Sequence, residues 1–285
     1  MASNLTQRVL FAVVAIPAAL GVVYWGGWLL VVLVAVVAAL GARELYQIAR
    51  RQGVEPLQRV GLASALALPV LTYLNVLGRP GLAEWGWFAG GLWLLVVLAV
   101  ALWRRGPGER PFAATAATLF GVLYPAGLVS FLIPIRHAGF GLASWAGAWL
   151  VFFPLVITWI CDTAAMFAGK AISGPKLWPA ISPGKTWAGS IAGVLGALAS
   201  VPLLDALVMR RLGIALPVGQ GLLFALVLGI VGQVGDLAES LYKREVGLKD
   251  SSGLIPGHGG VLDRFDSLYF VLPVSAALYR LFGVL

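Results

Sequence analysis

Residues 240–266 read SLYKREVGLKDSSGLIPGHGGVLDRFD, a run of charged residues and glycines in an otherwise apolar chain. Of the 12 acidic residues in the chain, six lie between positions 236 and 266: Asp236, Glu239, Glu245, Asp250, Asp263 and Asp266. The side chains there that can carry positive charge are Lys243, Arg244, Lys249, His258 and Arg264. Ionisable groups are costly in a bilayer and usually mark function in a membrane protein. We therefore expect this stretch to hold a metal ion and phosphate groups.

The composition of the chain predicts an integral membrane protein. Its 285 residues are 60% hydrophobic and 11% charged, and the mean hydropathy is +0.92. A water-soluble domain of this composition could not cover its apolar surface. The single cysteine, Cys161, excludes an internal disulfide. We predict an all-α fold, a polytopic integral membrane protein with about nine transmembrane helices.

The predicted spans are apolar runs separated by short polar loops. They lie near residues 8–25, 27–43, 60–78, 84–103, 112–135, 145–168, 187–208, 218–240 and 265–284. The segment 169–186 is rich in Gly, Pro and Ser, which predicts a loop. We divide the chain into N-terminal transmembrane helices, 1–140, and C-terminal transmembrane helices that carry the candidate catalytic motifs, 141–285.

The basic residues predict the orientation in the membrane. The net charge of +8 comes from residues in short loops, which favours a membrane surface or an anionic substrate over nucleic acid. One side of the predicted topology carries 15 of the 20 basic residues, so the positive-inside rule places that side, with the N-terminus and 236–266, in the cytoplasm. The C-terminus is then outside. Two loops on the predicted cytoplasmic side, 169–186 and 241–264, contain every lysine of the chain: Lys170, Lys176, Lys185, Lys243 and Lys249. We therefore expect these two loops to share one site.

The main motif combines a helix face with a glycine turn. If the eighth span stays helical past Gly235, then Asp236, Ser240 and Lys243 lie on one face of that helix. Such a face could hold a metal ion and a phosphate side by side. The Pro-Gly-His-Gly-Gly turn at 256–260 lets backbone amides approach phosphate oxygens closely.

Two carboxylates at the start of the ninth span indicate which metal would bind. Asp263 and Asp266 are three residues apart and can present hard oxygen ligands along one helical face. Mg²⁺ prefers one or two protein carboxylates with substrate phosphates and water, which suits this pair. With two histidines and one cysteine in the chain, zinc is disfavoured. The alternative for Asp236 and Asp263 is a structural ion pair with Lys243 or Arg264.

These residues resemble the signature of the phosphatidate cytidylyltransferase (CDP-diacylglycerol synthase) family. The resemblance rests on Ser240, Lys243, Arg244, Lys249, Asp250, Pro256, His258, Gly259, Gly260, Asp263, Arg264 and Asp266. A second block, 182–189, resembles the family's Ser-Pro-x-Lys-Thr-aromatic-Glu-Gly segment, and Asp-Thr at 162–163 with Gly-Lys at 169–170 resembles its Asp-Thr-x-Ala-Tyr-x-x-Gly segment. The chain departs from the family at Ala188, where Glu is usual, and at Met166, where Tyr is frequent.

The resemblance implies that CTP and phosphatidate react with the help of Mg²⁺ to give CDP-diacylglycerol and pyrophosphate, with a second cation left open. It implies CTP, phosphatidate and membrane lipids as partners, no nucleic acid, and a cytoplasmic (inner) membrane location with the active site facing the cytoplasm; a homodimer is left open. The implied catalytic residues are Asp236, Lys243, Arg244, Lys249, His258, Asp263 and Arg264. The implied substrate-binding residues are Ser182, Lys185, Thr186, Ser240, Gly259 and Gly260. The implied metal ligands are Asp236, Asp263, Asp266 and Asp250.

Two other functions stay open from the sequence. One is a CTP-dependent enzyme that acts on another lipid phosphate or on a polyprenol. The other is an anion transporter whose charged, glycine-containing eighth span binds a solute near the membrane midplane. Such a transporter should have an inverted repeat with matching broken spans, whereas the polar break lies in the C-terminal half of this sequence.

Overall fold

The described part of the chain is almost entirely helical. The computed structural model describes residues 4–78, 82–172, 174–255, 257 and 259–285, and their side chains except in 4–12 and 82–84. The α-helices of these residues are α1 (Asn4–Trp25), α2 (Gly27–Arg51), α3 (Gln58–Val76), α4 (Leu82–Arg104), α5 (Pro111–Val122), α6 (Leu132–Arg136), α7 (Trp145–Ala171), α8 (Trp187–Leu204), α9 (Val218–Glu245) and α10 (Val261–Leu281). Wider π-helical turns follow α5 and α8, at Leu123–Gly127 and Asp205–Met209.

Seven stretches within the described residues are long and apolar enough to cross a membrane: Gly27–Arg51, Gln58–Val76, Trp85–Arg104, Pro111–Arg136, Trp145–Ala171, Trp187–Leu212 and Val218–Glu245. The all-α membrane class predicted from the sequence is therefore confirmed, but the count of nine spans is not. The predicted first and ninth spans form α1 and α10, which are not among the seven. In α1 the shorter apolar stretch is Val13–Trp25, and α10 carries two aspartates and two arginines.

Residues 176–186 form a β-hairpin where the sequence predicted a loop. Strand β1 (Lys176–Trp178) pairs antiparallel with β2 (Ser182–Thr186), so that Lys176 lies opposite Thr186 and Trp178 opposite Ser182. The prolines and glycines of this segment are normally read as strand breakers. They are tolerated here because both strands of a two-stranded hairpin are edge strands.

Contacts divide the chain into two compact units. Unit 1 contains the described residues of 1–17, 27–134 and 250–263, and unit 2 those of 18–26, 135–249 and 264–285. The change of unit after Pro134 lies close to the boundary expected from the sequence, while 250–263 belongs to the unit of the N-terminal helices. The functional division into 1–140 and 141–285 stays a prediction.

Unit 1 packs α2, α3 and α5 around one buried tyrosine. The Tyr46 hydroxyl donates a hydrogen bond of 3.0 Å to the Thr118 carbonyl, and the residue is fully buried. A Cβ at Gly61 on α3 or at Gly121 on α5 would overlap the phenol of Tyr46. Glycine is therefore required at both positions, because the tyrosine ring fills the space between the helices.

Unit 2 packs α7, α8 and α9 closely through small residues. A Cβ at Gly193 on α8 would lie 2.8 Å from the Cys161 carbonyl oxygen, and one at Gly189 would lie 2.7 Å from the Ala165 carbonyl oxygen. Close approach through glycine is common between helices in membranes. Because α7 and α8 touch through their backbones, the start of α8 and strand β2 before it are fixed beside α7.

Candidate functional site

Carboxylates and lysines from four elements of unit 2 meet around Asp236. Lys185 Nζ on β2 lies 2.8 Å from Asp236 Oδ2 on α9, and both side chains are partly exposed, at 25% and 31%. Asp236 also interacts electrostatically with Asp162 on α7 and with Asp266 on α10. The positive charge of Lys185 interacts with Asp162, and that of Lys243 interacts with Asp266. We name Asp162, Lys185, Asp236, Lys243 and Asp266 the acid–lysine cluster.

The hairpin and the cap of α8 position Lys185 in this cluster. Thr186, which follows it, is buried and caps the helix, since its Oγ1 accepts a hydrogen bond of 3.1 Å from the Gly189 amide. Thr186 was predicted to bind substrate, and the contact observed for it is this helix cap. Gly169 and Gly189 of the motif segments meet at the α7–α8 contact, where a Cβ on Gly189 would lie 3.2 Å from the Gly169 Cα. The two glycines thus serve helix packing.

Helix α9 carries Asp236 and Lys243 of the cluster on one face, as the sequence predicted. It is helical from Val218 to Glu245, so Asp236, Ser240 and Lys243 share a face, and Ser240 Oγ donates to Asp236 Oδ1 at 3.4 Å. Lys243 is buried and forms an ion pair with Glu239, four residues earlier. The ion pair of Asp236 is with Lys185, on the hairpin, and a structural role for that pair stays an alternative.

Asp263, in unit 1, organises the motif loop 250–260. Its Oδ2 accepts hydrogen bonds from the Ser251 amide at 2.8 Å, the Ser251 hydroxyl at 2.9 Å and the Gly260 amide at 2.7 Å. Gly259 has a φ of 80°, and a Cβ there would lie 2.6 Å from the same carboxylate oxygen. The glycines of the turn thus let the backbone wrap around Asp263. The role of Asp263 as a metal ligand stays a prediction.

The other predicted site residues are less closely tied to the cluster. Arg244 donates from Nε to the Ile181 carbonyl at 3.2 Å and from Nη1 to the Leu248 carbonyl, joining the end of α9 to the hairpin turn. Ser182 is half-buried in β2, opposite Trp178. Arg244 is exposed, as are three other predicted residues: Lys249, Asp250 and Arg264. The predicted catalytic residue His258 lies outside the described residues.

Sequence reasoning missed Glu44 on α2. Its carboxylate is buried and accepts hydrogen bonds from the motif loop and from the first residues of α10. The predicted second span ends at residue 43, one residue before Glu44, whereas α2 continues to Arg51. The available signal was its isolation, since it is the sole acidic residue among the first 54 of the sequence.

The donor atoms of the acid–lysine cluster suit a hard cation. No group of three or more His, Cys, Asp or Glu side chains that could hold a metal ion occurs among the described residues. Mg²⁺ does not need one, because it takes one or two protein carboxylates and completes its octahedron with phosphate oxygens and water. Asp236 and Asp266, two carboxylates that interact with each other, fit that requirement.

The seven long apolar helices of the described residues define a polytopic membrane protein, and its unit 2 carries a cluster of carboxylates and lysines. A sequence model of the cytidylyltransferase family matches residues 6–282, and the chain belongs to that family. It is similar to a phosphatidate cytidylyltransferase of Brucella suis, 40% identical over 218 residues that cover 76% of this chain and 72% of the relative. It is also 32% identical to the phosphatidate cytidylyltransferase of Synechocystis sp., over 94% of this chain and 94% of the relative. The identity to the phosphatidate cytidylyltransferase of Staphylococcus epidermidis is again 32%, over 94% of this chain and 96% of the relative.

Proposed function

We propose that this chain is a phosphatidate cytidylyltransferase, which transfers CMP from CTP to phosphatidate and releases pyrophosphate. The observation that carries the proposal is the contact of Lys185 with Asp236. It joins the two motif segments in one acid–lysine cluster, in a chain that belongs to the cytidylyltransferase family. The relatives named above carry this activity in their names.

The reaction needs no nucleophile from the protein. An oxygen of the phosphatidate phosphate forms a bond to the α-phosphorus of CTP, and the bond from that phosphorus to the bridging oxygen of pyrophosphate breaks. Two highly charged anions must be brought together, and negative charge develops on the leaving pyrophosphate. Positioned cations and dipoles therefore supply most of the catalysis.

The lysines of the cluster supply positive charge. Lys185 is partly exposed and lies on the second strand of the hairpin, so its ammonium can reach a phosphate. Lys243 is buried and held by Glu239, which fixes its position on α9. We assign phosphate neutralisation to Lys185 and Lys243, and as further predictions to Arg244, Lys249 and Arg264. Binding of the triphosphate by His258, Gly259 and Gly260 is also a prediction.

The carboxylates of the cluster are proposed to hold Mg²⁺. Asp236 and Asp266 are the leading ligands because their two negative charges interact within the cluster. The charge of Asp162 interacts with both of them. Asp263 and Asp250 remain predicted ligands. When bound, the metal ion would screen the phosphate charges and polarise the α-phosphorus. A metal ion on Asp236 would replace the positive charge that Lys185 supplies there, which leaves Lys185 for the substrate phosphate.

The same proposal places the chain in the cytoplasmic membrane with the cluster facing the cytoplasm. The arginine and lysine bias of the loops supports this orientation, and cytosolic CTP requires it. The lipid tails would stay in the bilayer while the phosphate lies at the membrane surface.

The test is an assay with purified protein in lipid nanodiscs, CTP labelled at the α-phosphate, Mg²⁺ and phosphatidate. We expect the label in a chloroform-soluble product and one pyrophosphate released for each product. Asp236→Asn should form this product about 10²-fold more slowly or worse. A parallel reaction contains CTP labelled at the γ-phosphate and a polyprenol. Transfer of the γ label to the polyprenol, with no product from phosphatidate, would refute the proposal in favour of a lipid kinase.

A further inference from the structure

The carboxylate of Glu44 is saturated with hydrogen bonds in the interior of unit 1. Its side chain is 3% exposed. Oε1 accepts from the Ser252 hydroxyl at 2.6 Å and from the Val261 amide at 3.0 Å. Oε2 accepts from the Ser251 hydroxyl at 2.9 Å and from the Leu262 amide at 2.8 Å. Four donors on one carboxylate leave little capacity for a metal ion, so the geometry indicates an anchor.

Two of these donors are backbone amides at the start of α10. Val261 and Leu262 are the first residues of that helix, where amides have no acceptor within the helix. A negative charge at a helix N-terminus is also stabilised by the helix dipole. Glu44 therefore caps α10 from a helix more than 200 residues earlier in the chain, and so fixes where α10 begins.

The other two donors tie the motif loop to Glu44 and, through it, to Asp263. The Ser251 hydroxyl lies 2.9 Å from Glu44 Oε2 and 2.9 Å from Asp263 Oδ2. A hydroxyl carries one proton, so the two carboxylates share a single donor. A shift of Glu44 would therefore move the group that orients Asp263.

The same contacts leave no room for a side chain at Gly260. A Cβ at this position would lie 2.5 Å and 2.6 Å from the two carboxylate oxygens of Glu44 and would overlap the Ser251 hydroxyl. The absence of a side chain lets the Gly260 amide reach Asp263 while Glu44 lies on the other side. Gly260, Glu44 and Asp263 thus form one packed arrangement in unit 1.

We propose that Glu44 is a positioning residue, which holds the motif loop 250–260 and the start of α10 in the arrangement that receives the triphosphate of CTP. The structural part of the proposal stands on the contacts of Glu44, and the substrate part rests on the proposed function. Substrate binding to a loop that is already ordered avoids the entropy cost of ordering it. Loss of the anchor should then weaken CTP binding more than it slows the chemical step.

The test compares Glu44→Gln, Glu44→Asp and Ser252→Ala, with Glu55→Gln as the matched control. An amide at position 44 would place N–H groups against the amides of Val261 or Leu262. The control removes the charge of an exposed glutamate, 59% exposed and paired with Arg50 on the same unit. Two measurements are made on each variant in nanodiscs: hydrogen exchange of peptides covering 250–262, with a peptide from α3 as reference, and steady-state kinetics with CTP and phosphatidate.

We expect Glu44→Gln to speed exchange in 250–262 alone and to raise KM for CTP about tenfold or more, with kcat changed less and KM for phosphatidate unchanged. Glu44→Asp should restore part of the CTP affinity, and Glu55→Gln should match the wild type. Unchanged exchange in 250–262, or faster exchange with unchanged CTP kinetics, would overturn the proposal. If Glu44→Gln does not fold, Ser252→Ala decides, because it removes one donor and keeps the carboxylate. Wild-type protein that turns over no CTP would refute the proposed function, while the exchange data would still decide the anchor.

Discussion

Lys185 and Asp236 allow a quantitative test of the acid–lysine cluster. The contact of 2.8 Å joins two side chains that are 25% and 31% exposed, so solvent screens the pair. Such a pair contributes about 1 kcal/mol or less to stability. That is small beside the roughly 5–15 kcal/mol that separate folded from unfolded states. Removal of either side chain should therefore leave the protein folded, and a large loss of turnover would report on the reaction.

The expected losses follow from the proposed roles of the two side chains. Asp236→Asn removes a metal ligand and should lower kcat about 10²-fold or more. Lys185→Ala removes a cation from the substrate phosphate and should lower kcat/KM about 10- to 100-fold. If the two residues acted independently, the double variant would lose the product of these factors. Because they share a contact and a ligand, we expect the double variant to lose about tenfold less than that product.

The control for charge is Lys176→Ala, which removes an exposed lysine from the other strand of the same hairpin. It should keep near wild-type turnover. All four variants are compared in nanodiscs by release of pyrophosphate at several Mg²⁺ concentrations, with thermal unfolding to confirm folding. Independent, multiplicative losses would refute the shared ligand, and an equal loss in Lys176→Ala would refute a specific role for Lys185. Small, independent effects would mean that Lys185 serves as a headgroup anchor.

Three further predictions test orientation, packing and the departure from the family. A cysteine placed by Leu254→Cys, in the exposed part of the motif loop, should react with an impermeant thiol reagent from the cytoplasmic side alone; labelling from outside would reverse the topology. Gly61→Ala should lower stability by about 1–3 kcal/mol because its methyl group would overlap Tyr46, whereas Gly91→Ala, with open space around it, should be neutral in thermal unfolding. Ala188→Glu should change the KM for CTP or phosphatidate, and unchanged kinetics would place that residue outside the site.

The helical part of the site could be predicted because helix periodicity is a local property. Asp236, Ser240 and Lys243 are spaced four and three apart, which places them on one face of any continuous helix. Helix α9 is continuous through Gly235, and the Ser240 contact with Asp236 follows from that spacing. The clustering of all lysines in two loops likewise indicated that Lys185 lies near α9, and the contact with Asp236 agrees with it.

The partners across the fold could not be predicted from local patterns. Glu239 was available to Lys243 on the same helix, but the choice of Lys185 for Asp236 depends on where the hairpin places β2. The hairpin was predicted as a loop because of its prolines and glycines, but these residues are tolerated in edge strands. Glu44 was missed because its donors lie more than 200 residues away, where no periodicity connects them.

The anchor formed by Glu44 has a consequence for the order of synthesis. Helix α2 leaves the ribosome long before the residues that satisfy its carboxylate, which are 207 to 218 positions further along the chain. A carboxylate without partners is costly to remove from water, so this end of α2 has to remain hydrated while the later helices are inserted. Its burial is one of the last steps of assembly. A nascent chain that stops before residue 251 lacks all four donors to this carboxylate and cannot complete unit 1.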